Sequence, residues 1–141
     1  YFFWDAKKQL EIILKNGFSL KTDGPVEGTY TNYENLDEKM HGLHDYLKYV
    51  KYGFGRATDH ASIDIRNNRL TRKQGLEKVN EFDGKYPHYG IKTFIKYSGM
   101  AKKEIDTIID SFTNPILFES DENDEFKRDV NFNLIPTFKR K

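Results

Sequence analysis

The sequence predicts an all-α domain, an irregular bundle of five or six helices that ends in an extended, partly ordered C-terminal tail. Apolar residues recur at alternating intervals of three and four along several segments, the spacing of one buried helix face. Glycine, proline and capping residues separate these segments into pieces of ordinary helical length. The chain has 141 residues, enough for about one domain with one core. We expect residues 1–118 to form the helical domain and residues 119–141 to form the tail.

The first helix is predicted over residues 5–16, with Asp5 as its N-cap and Gly17 as its C-terminal stop. Residues 1–4 are aromatic or large, and we expect them to pack just ahead of this helix. Residues 18–33 combine glycine and proline with threonine, asparagine and aspartate, which is turn chemistry without a sustained period. This segment is therefore predicted to be a loop. The apolar face of the first helix consists of Leu10, Ile13 and Leu14.

The second helix is the one that the periodicity indicates most strongly, and it is predicted to begin at Leu36. Gly53 and Gly55 are expected to end it, because glycine readily adopts the positive φ values of a helix terminus. Its apolar stripe consists of Leu36, Met40, Leu43, Leu47, Val50 and Phe54.

The third helix is predicted over residues 56–67, where Ala57 and Ala61 would let another backbone approach closely. A fourth helix begins at Thr71, because Gln74 three residues later completes a capping box. Two more helices are predicted over residues 91–97 and 102–112, the second stopped by Asn114-Pro115.

Composition restricts the classes of function. Aromatic residues make up 15% of the chain, so much of the core must consist of packed rings. The net charge is only +1 although 32% of residues are charged, which argues against a general affinity for nucleic acid or a membrane surface. Residues 56–73 are locally basic, which is one feature of nucleic-acid-binding proteins, but no known binding motif is present. No partner of either kind is expected.

The absence of cysteine excludes disulfides, thiolate zinc sites and cysteine nucleophiles within these residues. No apolar run approaches the roughly 20 residues that span a bilayer. We therefore expect a soluble, cytoplasmic protein. Because the chain begins with Tyr1 instead of Met, we also expect it to be a piece of a longer polypeptide.

The turn formed by Gly53, Phe54 and Gly55 directly precedes Arg56 and the third helix. Backbone N–H groups, the positive end of a helix dipole and a guanidinium together suit a phosphate or a carboxylate. Gly53 and Gly55 are therefore candidates for an anion-binding turn. The alternative is that the glycines only redirect the chain and that Arg56 pairs with Asp59 or Asp5.

The third helix carries Asp59, Ser62 and Arg66 on one face, with further basic residues nearby in sequence. Such a set could orient a polar substrate, because arginine makes bidentate contacts and a carboxylate accepts from hydroxyl or amide groups. A solvated face with intrahelical ion pairs is the alternative. No catalytic residue is identified, and the candidate substrate-binding residues are Lys51, Arg56, Asp59, Arg66 and Arg72.

Asp37, His41 and His44 recur at intervals of four and three, and Asp45 follows them. Histidine and carboxylate side chains are metal ligands, so a metal site is conceivable here. A third strong ligand at matching spacing is missing, however, and histidines beside a buried stripe more often bridge core and solvent. We therefore expect no metal site.

The segment over residues 35–87 resembles the C-terminal portion of the N-acetyl sugar amidotransferases. These are lipopolysaccharide and flagellin-glycan enzymes of the PP-loop ATP pyrophosphatase superfamily. The resemblance extends over about residues 1–118 and leaves the acidic tail outside. It rests on Trp4-Asp5, Gly28-Thr29-Tyr30, Leu36-Asp37, residues 51–57, Ala61-Ser62, Ile65-Arg66, Thr71-Arg72, Gly75 and Asp83-Gly84.

The resemblance implies an enzyme that uses ATP to activate the acetamido group of a nucleotide-linked N-acetyl sugar. Ammonia then replaces the oxygen and gives an acetamidino sugar of an O-antigen or of a pseudaminic or legionaminic acid type glycan. The ammonia would come from separate glutaminase and cyclase-like subunits. A noncatalytic docking module for these subunits is the alternative.

One part of the superfamily pattern is missing, because the Ser-Gly-Gly-x-Asp-Ser phosphate loop does not occur in these residues. ATP and Mg²⁺ would accordingly bind to an N-terminal ATP-binding domain in the full-length enzyme. We expect this chain alone to bind neither of them and to be inactive.

Overall fold

The protein is described by a computed structural model over residues 5–140, and the expected packing of residues 1–4 lies outside the described residues. Six α-helices and no sheet make up this part of the chain, which confirms the all-α prediction. The helices are α1 (Ala6–Lys15), α2 (His41–Tyr52), α3 (Arg56–Arg66), α4 (Arg72–Phe82), α5 (His88–Ser98) and α6 (Lys102–Phe112).

Local capping signals explain where several helices begin. The Asp5 side chain accepts a hydrogen bond from the Lys7 N–H at 3.0 Å and caps α1, as predicted. Thr71 and Gln74 form the predicted reciprocal capping box at the start of α4. The N-terminus of α5 is capped from a distance, because the Glu27 carboxylate accepts from two backbone N–H groups of the first turn. This cap explains why α5 begins three residues earlier than periodicity predicts.

Helix α2 begins at His41, so the prediction that it starts at Leu36 was wrong. Asn35 has a φ of 51°, a left-handed conformation that turns the chain just before the apolar stripe. The Glu38 N–H then donates to the Asn35 carbonyl at 3.3 Å and closes a turn. Leu36 consequently stays partly exposed instead of joining a buried helix face.

Helix α2 lies at the centre of the hydrophobic core and packs against α5 and α6, which also contact each other. Tyr46 and Tyr49 are buried beside Leu43 and Val50, so rings fill much of the core as the composition predicts. The ring centroids of Tyr46 and Tyr86 lie 5.8 Å apart in an edge-to-face arrangement.

Helices α3 and α4 form a second close pair. Ala57 and Ala61 are both buried, and Ala61 lies at the contact, because a Cβ atom on Gly75 of α4 would be only 3.6 Å from the Ala61 Cβ atom. Gly75 supplies the matching space on α4, because a Cβ atom there would lie 2.7 Å from Ile65 Cδ1. The face of α3 that carries Asp59 and Ile63 lines the cavity described in the next subsection.

Residues 113–140 form an extended C-terminal segment without helices, and this segment folds back over the helices. Phe118 and Leu134 from this segment are both part of the core. Arg128 forms an ion pair with Asp110 of α6, which attaches the segment to the last helix. Three isolated antiparallel bridges lie along it, namely Phe118 with Pro136, Ser120 with Phe126 and Arg128 with Leu134.

Across residues 5–140, none of the helices has both the length and the apolar character needed to cross a membrane.

Candidate functional site

A cavity of about 390 Å³ opens between α1, the loop at residues 33–35 and the polar face of α3. We call it the Arg56 cleft. Leu10 and Ile13 of α1 give it an apolar wall, while the opposite wall carries charged groups. Its lining residues are Ala6, Gln9, Leu10, Ile13, Tyr33, Glu34, Asn35, Arg56, Asp59, His60 and Ile63.

His60 links the cleft to the loop through both ring nitrogens. Nδ1 lies 2.6 Å from Thr29 Oγ1, and Nε2 lies 2.6 Å from Glu34 Oε2. Burial alone would raise the pKa of the Glu34 carboxyl. The His60 hydrogen bond and the charge of Arg56 outweigh burial and hold that pKa below its usual range. Glu34 is therefore an ionised hydrogen-bond acceptor at the cleft near neutral pH.

Arg56 lies between two carboxylates at the first turn of α3. Its Nη2 atom is 3.4 Å from Glu34 Oε2, and its Nε atom is 4.0 Å from Asp45 Oδ2. The Nε atom is buried and has no hydrogen-bond partner in the described residues. The guanidinium nevertheless lines a partly apolar cavity, where it is suited to a polar, uncharged or anionic ligand.

Helix α1 forms the apolar wall of the cleft, yet none of its residues is buried. Ion pairs therefore hold this helix in place. Arg69 Nη1 lies 2.8 Å from Asp5 Oδ2, and Arg69 Nε lies 2.6 Å from Asp64 Oδ1. Tyr30 donates its hydroxyl to Asp64 at 2.8 Å, and burial together with this carboxylate raises the pKa of Tyr30. Arg69 thus ties the start of α1 to the end of α3.

The structure brings only some of the sequence-predicted substrate-binding residues together. Arg56 and Asp59 both line the Arg56 cleft, where Asp59 pairs with Lys48 at 2.5 Å. Lys51 lies elsewhere, with its ammonium 4.4 Å from the centre of the Phe112 ring. Arg66 is exposed at the end of α3. Arg72 lines a different cavity of about 310 Å³ between α3 and α4.

The glycine turn before α3 already holds an internal anion. Gly55 donates its N–H to Asp83 Oδ2 at 2.9 Å, and Thr58 donates to the same carboxylate through its N–H and its hydroxyl. Gly53 has a φ of 77°, whereas Gly55 has an extended conformation with a φ of −121°. Gly55 is needed for space, because a Cβ atom there would lie 2.9 Å from Asp83 Oδ1. An external anion at this turn would have to displace Asp83.

Replacing Asp83 by alanine is expected to lower the free energy of unfolding by about 2 kcal/mol, because buried N–H donors at the start of α3 lose their acceptor. Urea denaturation followed by circular dichroism measures the change. Asp121→Ala is the matched control, since this exposed carboxylate also accepts two backbone N–H bonds. Equal losses in the two variants would show that Asp83 is no more than a surface cap.

Five polar residues that line the cleft were not singled out from the sequence, namely Gln9, Tyr33, Glu34, Asn35 and His60. His60 follows Arg56 by four residues, so the two share a helix face, and this spacing could have identified it. Glu34 comes from a loop without periodicity, and no local signal indicates that it faces α3.

Comparison with known protein families gives one match, and a comparison with curated proteins gives none. Residues 27–132 match the model of the C-terminal domain of the WbpG-like lipopolysaccharide biosynthesis proteins. The chain belongs to this family.

The matched residues of this WbpG-like domain include the charged wall of the Arg56 cleft and exclude α1, which forms the apolar wall. The match also runs past Phe118 into the extended segment, beyond the end of the resemblance noted from the sequence. The family description assigns this domain to lipopolysaccharide biosynthesis.

Proposed function

We propose that this chain is the helical C-terminal part of an ATP-dependent N-acetyl sugar amidotransferase, and that the Arg56 cleft forms one wall of its sugar site. The enzyme would convert the acetamido group of a nucleotide-linked sugar to an acetamidino group with ammonia. The observation that carries the proposal is that Arg56 and the apolar side chains of α1 line the same cavity. Membership in the WbpG-like family supports a role in lipopolysaccharide biosynthesis.

An acetamido group offers a methyl group, a carbonyl oxygen and an N–H. Leu10 and Ile13 supply apolar surface for a methyl group, and Arg56 supplies an N–H donor for an oxygen. Glu34, held ionised by His60 and Arg56, supplies an acceptor for an N–H. In the proposed enzyme these residues bind and orient the group while the apolar wall excludes water.

Among residues 5–140 we identify no group of side chains suited to ATP and Mg²⁺. The chain lacks the phosphate loop of the superfamily, and the helix N-terminus after its glycine turn is already capped by Asp83. We therefore place both in the N-terminal domain of the full-length enzyme, together with the activation of the acetamido oxygen.

Filling the cleft tests the proposal without removing a charge. Ile63 lines the cleft and is partly exposed, so Ile63→Trp should occupy the cavity and leave the fold intact. In the full-length enzyme supplied with ammonium, we expect the KM for the sugar nucleotide to rise at least about tenfold. The KM for ATP should stay the same. An unchanged sugar KM in this variant would place the substrate elsewhere.

Ile12→Trp is the matched control, because Ile12 is exposed on α1 and does not line the cleft. It also addresses the second candidate function, docking of glutaminase and cyclase-like subunits. The exposed apolar side chains of Ile12 and Leu14 on α1, and of Phe18 just after it, favour that candidate. Docking through α1 would make Ile12→Trp lower glutamine-dependent turnover and spare ammonium-dependent turnover.

A further inference from the structure

Three potential metal ligands converge at the start of α2. The ligand atoms of His41, His44 and Asp45 all lie within 4.8 Å of one another. His41 and His44 are three residues apart, and His41 and Asp45 are four apart, so one helix face presents all three. Asp37, which the sequence pattern included, is not part of this group.

The Asp45 carboxylate is buried, and one of its two oxygen atoms, Oδ2, accepts no hydrogen bond within the described part of the chain. His41 Nε2 lies 2.9 Å from this oxygen, but the two do not form a hydrogen bond. A buried carboxylate oxygen without a donor is costly, and a cation is one way of satisfying it.

Each histidine lies at a ligand–ligand distance from one oxygen of the Asp45 carboxylate, and the two oxygens differ. His41 Nε2 is 2.9 Å from Asp45 Oδ2, and His44 Nδ1 is 3.4 Å from Asp45 Oδ1. Around an ion bound at about 2.1 Å, such separations correspond to ligand angles of about 90–110°. These are angles of tetrahedral or five-coordinate zinc.

We propose that His41, His44 and Asp45 bind one Zn²⁺ ion or a similar imidazole-preferring divalent ion, leaving at least one position open. Two imidazoles and one carboxylate are a ligand set that suits zinc better than Mg²⁺ or Ca²⁺. The His44 side chain is 79% exposed, which gives an ion direct access from solvent. From the sequence we expect no metal site, because no third strong ligand is evident at matching spacing. The proposal differs because the buried Asp45 supplies that third ligand.

Neighbouring groups act on the ion in opposite ways. Arg56 Nε lies 4.0 Å from Asp45 Oδ2, and its positive charge weakens binding. Glu34 pairs with the same guanidinium and offsets part of that charge. Asn35 Nδ2 lies 2.9 Å from His41 Nε2, so an ion that binds this nitrogen has to displace that hydrogen bond. The ion would therefore be held more weakly than at a closed structural site.

Calorimetric titration of the metal-free 141-residue chain with Zn²⁺ near neutral pH tests the proposal. We expect one ion per chain, and we expect His44→Ala to weaken binding more than about tenfold, because even supporting residues of metal sites contribute about 10–100-fold. Co²⁺ should give visible absorption bands of low coordination number that His44→Ala removes. His44 is exposed, so this variant keeps the fold, which circular dichroism checks.

His88→Ala is the matched control, since His88 is also exposed but lies outside the group. It should bind Zn²⁺ as the unmodified chain does. The proposal is overturned if the unmodified chain binds no Zn²⁺, or if His44→Ala binds as tightly as the unmodified chain. It is also overturned if His88→Ala loses as much affinity as His44→Ala. None of these results depends on amidotransferase activity.

Discussion

Replacing Phe118 by alanine is expected to lower the free energy of unfolding by about 4 kcal/mol, the largest effect on stability that we predict. Phe118 is only 1% exposed, although it lies beyond the last helix. Its ring centroid is 5.4 Å from that of Tyr49 in the central helix. Truncation would leave a cavity between α2 and the extended segment, and the surrounding rings would close it only partly.

Urea denaturation monitored by circular dichroism measures this loss. Val130→Ala is the control within the same segment, because Val130 is fully exposed, and we expect a change of no more than about 0.5 kcal/mol. If Phe118→Ala were as stable as Val130→Ala, the C-terminal segment would not be part of the core.

Replacing Arg56 by alanine in the full-length enzyme is expected to lower kcat/KM for the sugar nucleotide about 100-fold, equivalent to about 2.7 kcal/mol. The reason is the loss of the only guanidinium among the residues that line the Arg56 cleft. Its ion pair with Glu34 is partly exposed and its contact with the buried Asp45 is long, at 4.0 Å, so we expect the free energy of unfolding to fall by only about 1 kcal/mol. Steady-state kinetics with ammonium as the nitrogen source measure the effect.

Arg66→Ala is the matched control, because Arg66 is the same residue type at the other end of α3 and lies outside the cleft. It should retain normal turnover. Arg56→Lys should recover only part of the activity, since lysine keeps the charge and loses the planar set of donors. Equal losses in Arg56→Ala and Arg66→Ala would indicate a general charge effect and not a site.

Most of the helices could be predicted because their signals are local. Asp5 caps the helix that follows it, and Thr71 with Gln74 begins another, within a few residues of chain. The starts of α5 and α2 are exceptions. Helix α5 begins earlier than predicted under a cap from the distant Glu27, and at α2 Leu36 continues the apolar stripe but Asn35 turns the chain. Periodicity identifies apolar positions and does not report the backbone conformation of the residue before them.

Contacts that are distant in sequence could not be predicted in this way. Phe118 and Leu134 reach the core from a segment that lacks helical spacing. Asp83 ends one helix and caps another that began earlier in the chain. The donors at the start of α3 suit an anion, and only the fold shows that the Asp83 carboxylate of the same chain occupies them.

In the candidate site, too, some residues could be predicted from local spacing and others depend on tertiary packing. Arg56 and Asp59 were singled out from helical spacing, and both line the cleft, although their role in substrate binding stays a prediction. Glu34 enters from a loop, and the apolar wall comes from α1, so their approach to α3 depends on tertiary packing. Arg69 fixes that approach by joining Asp5 to Asp64.

The most direct test of the proposed function follows nitrogen into the sugar. The full-length enzyme is incubated with a nucleotide-linked N-acetyl sugar, ATP, Mg²⁺ and isotopically labelled ammonium, and the sugar product is analysed by mass spectrometry. Our account predicts a labelled acetamidino sugar whose rate of formation falls about 100-fold in Arg56→Ala and not in Arg66→Ala. A product without label, or full activity in Arg56→Ala, would contradict it.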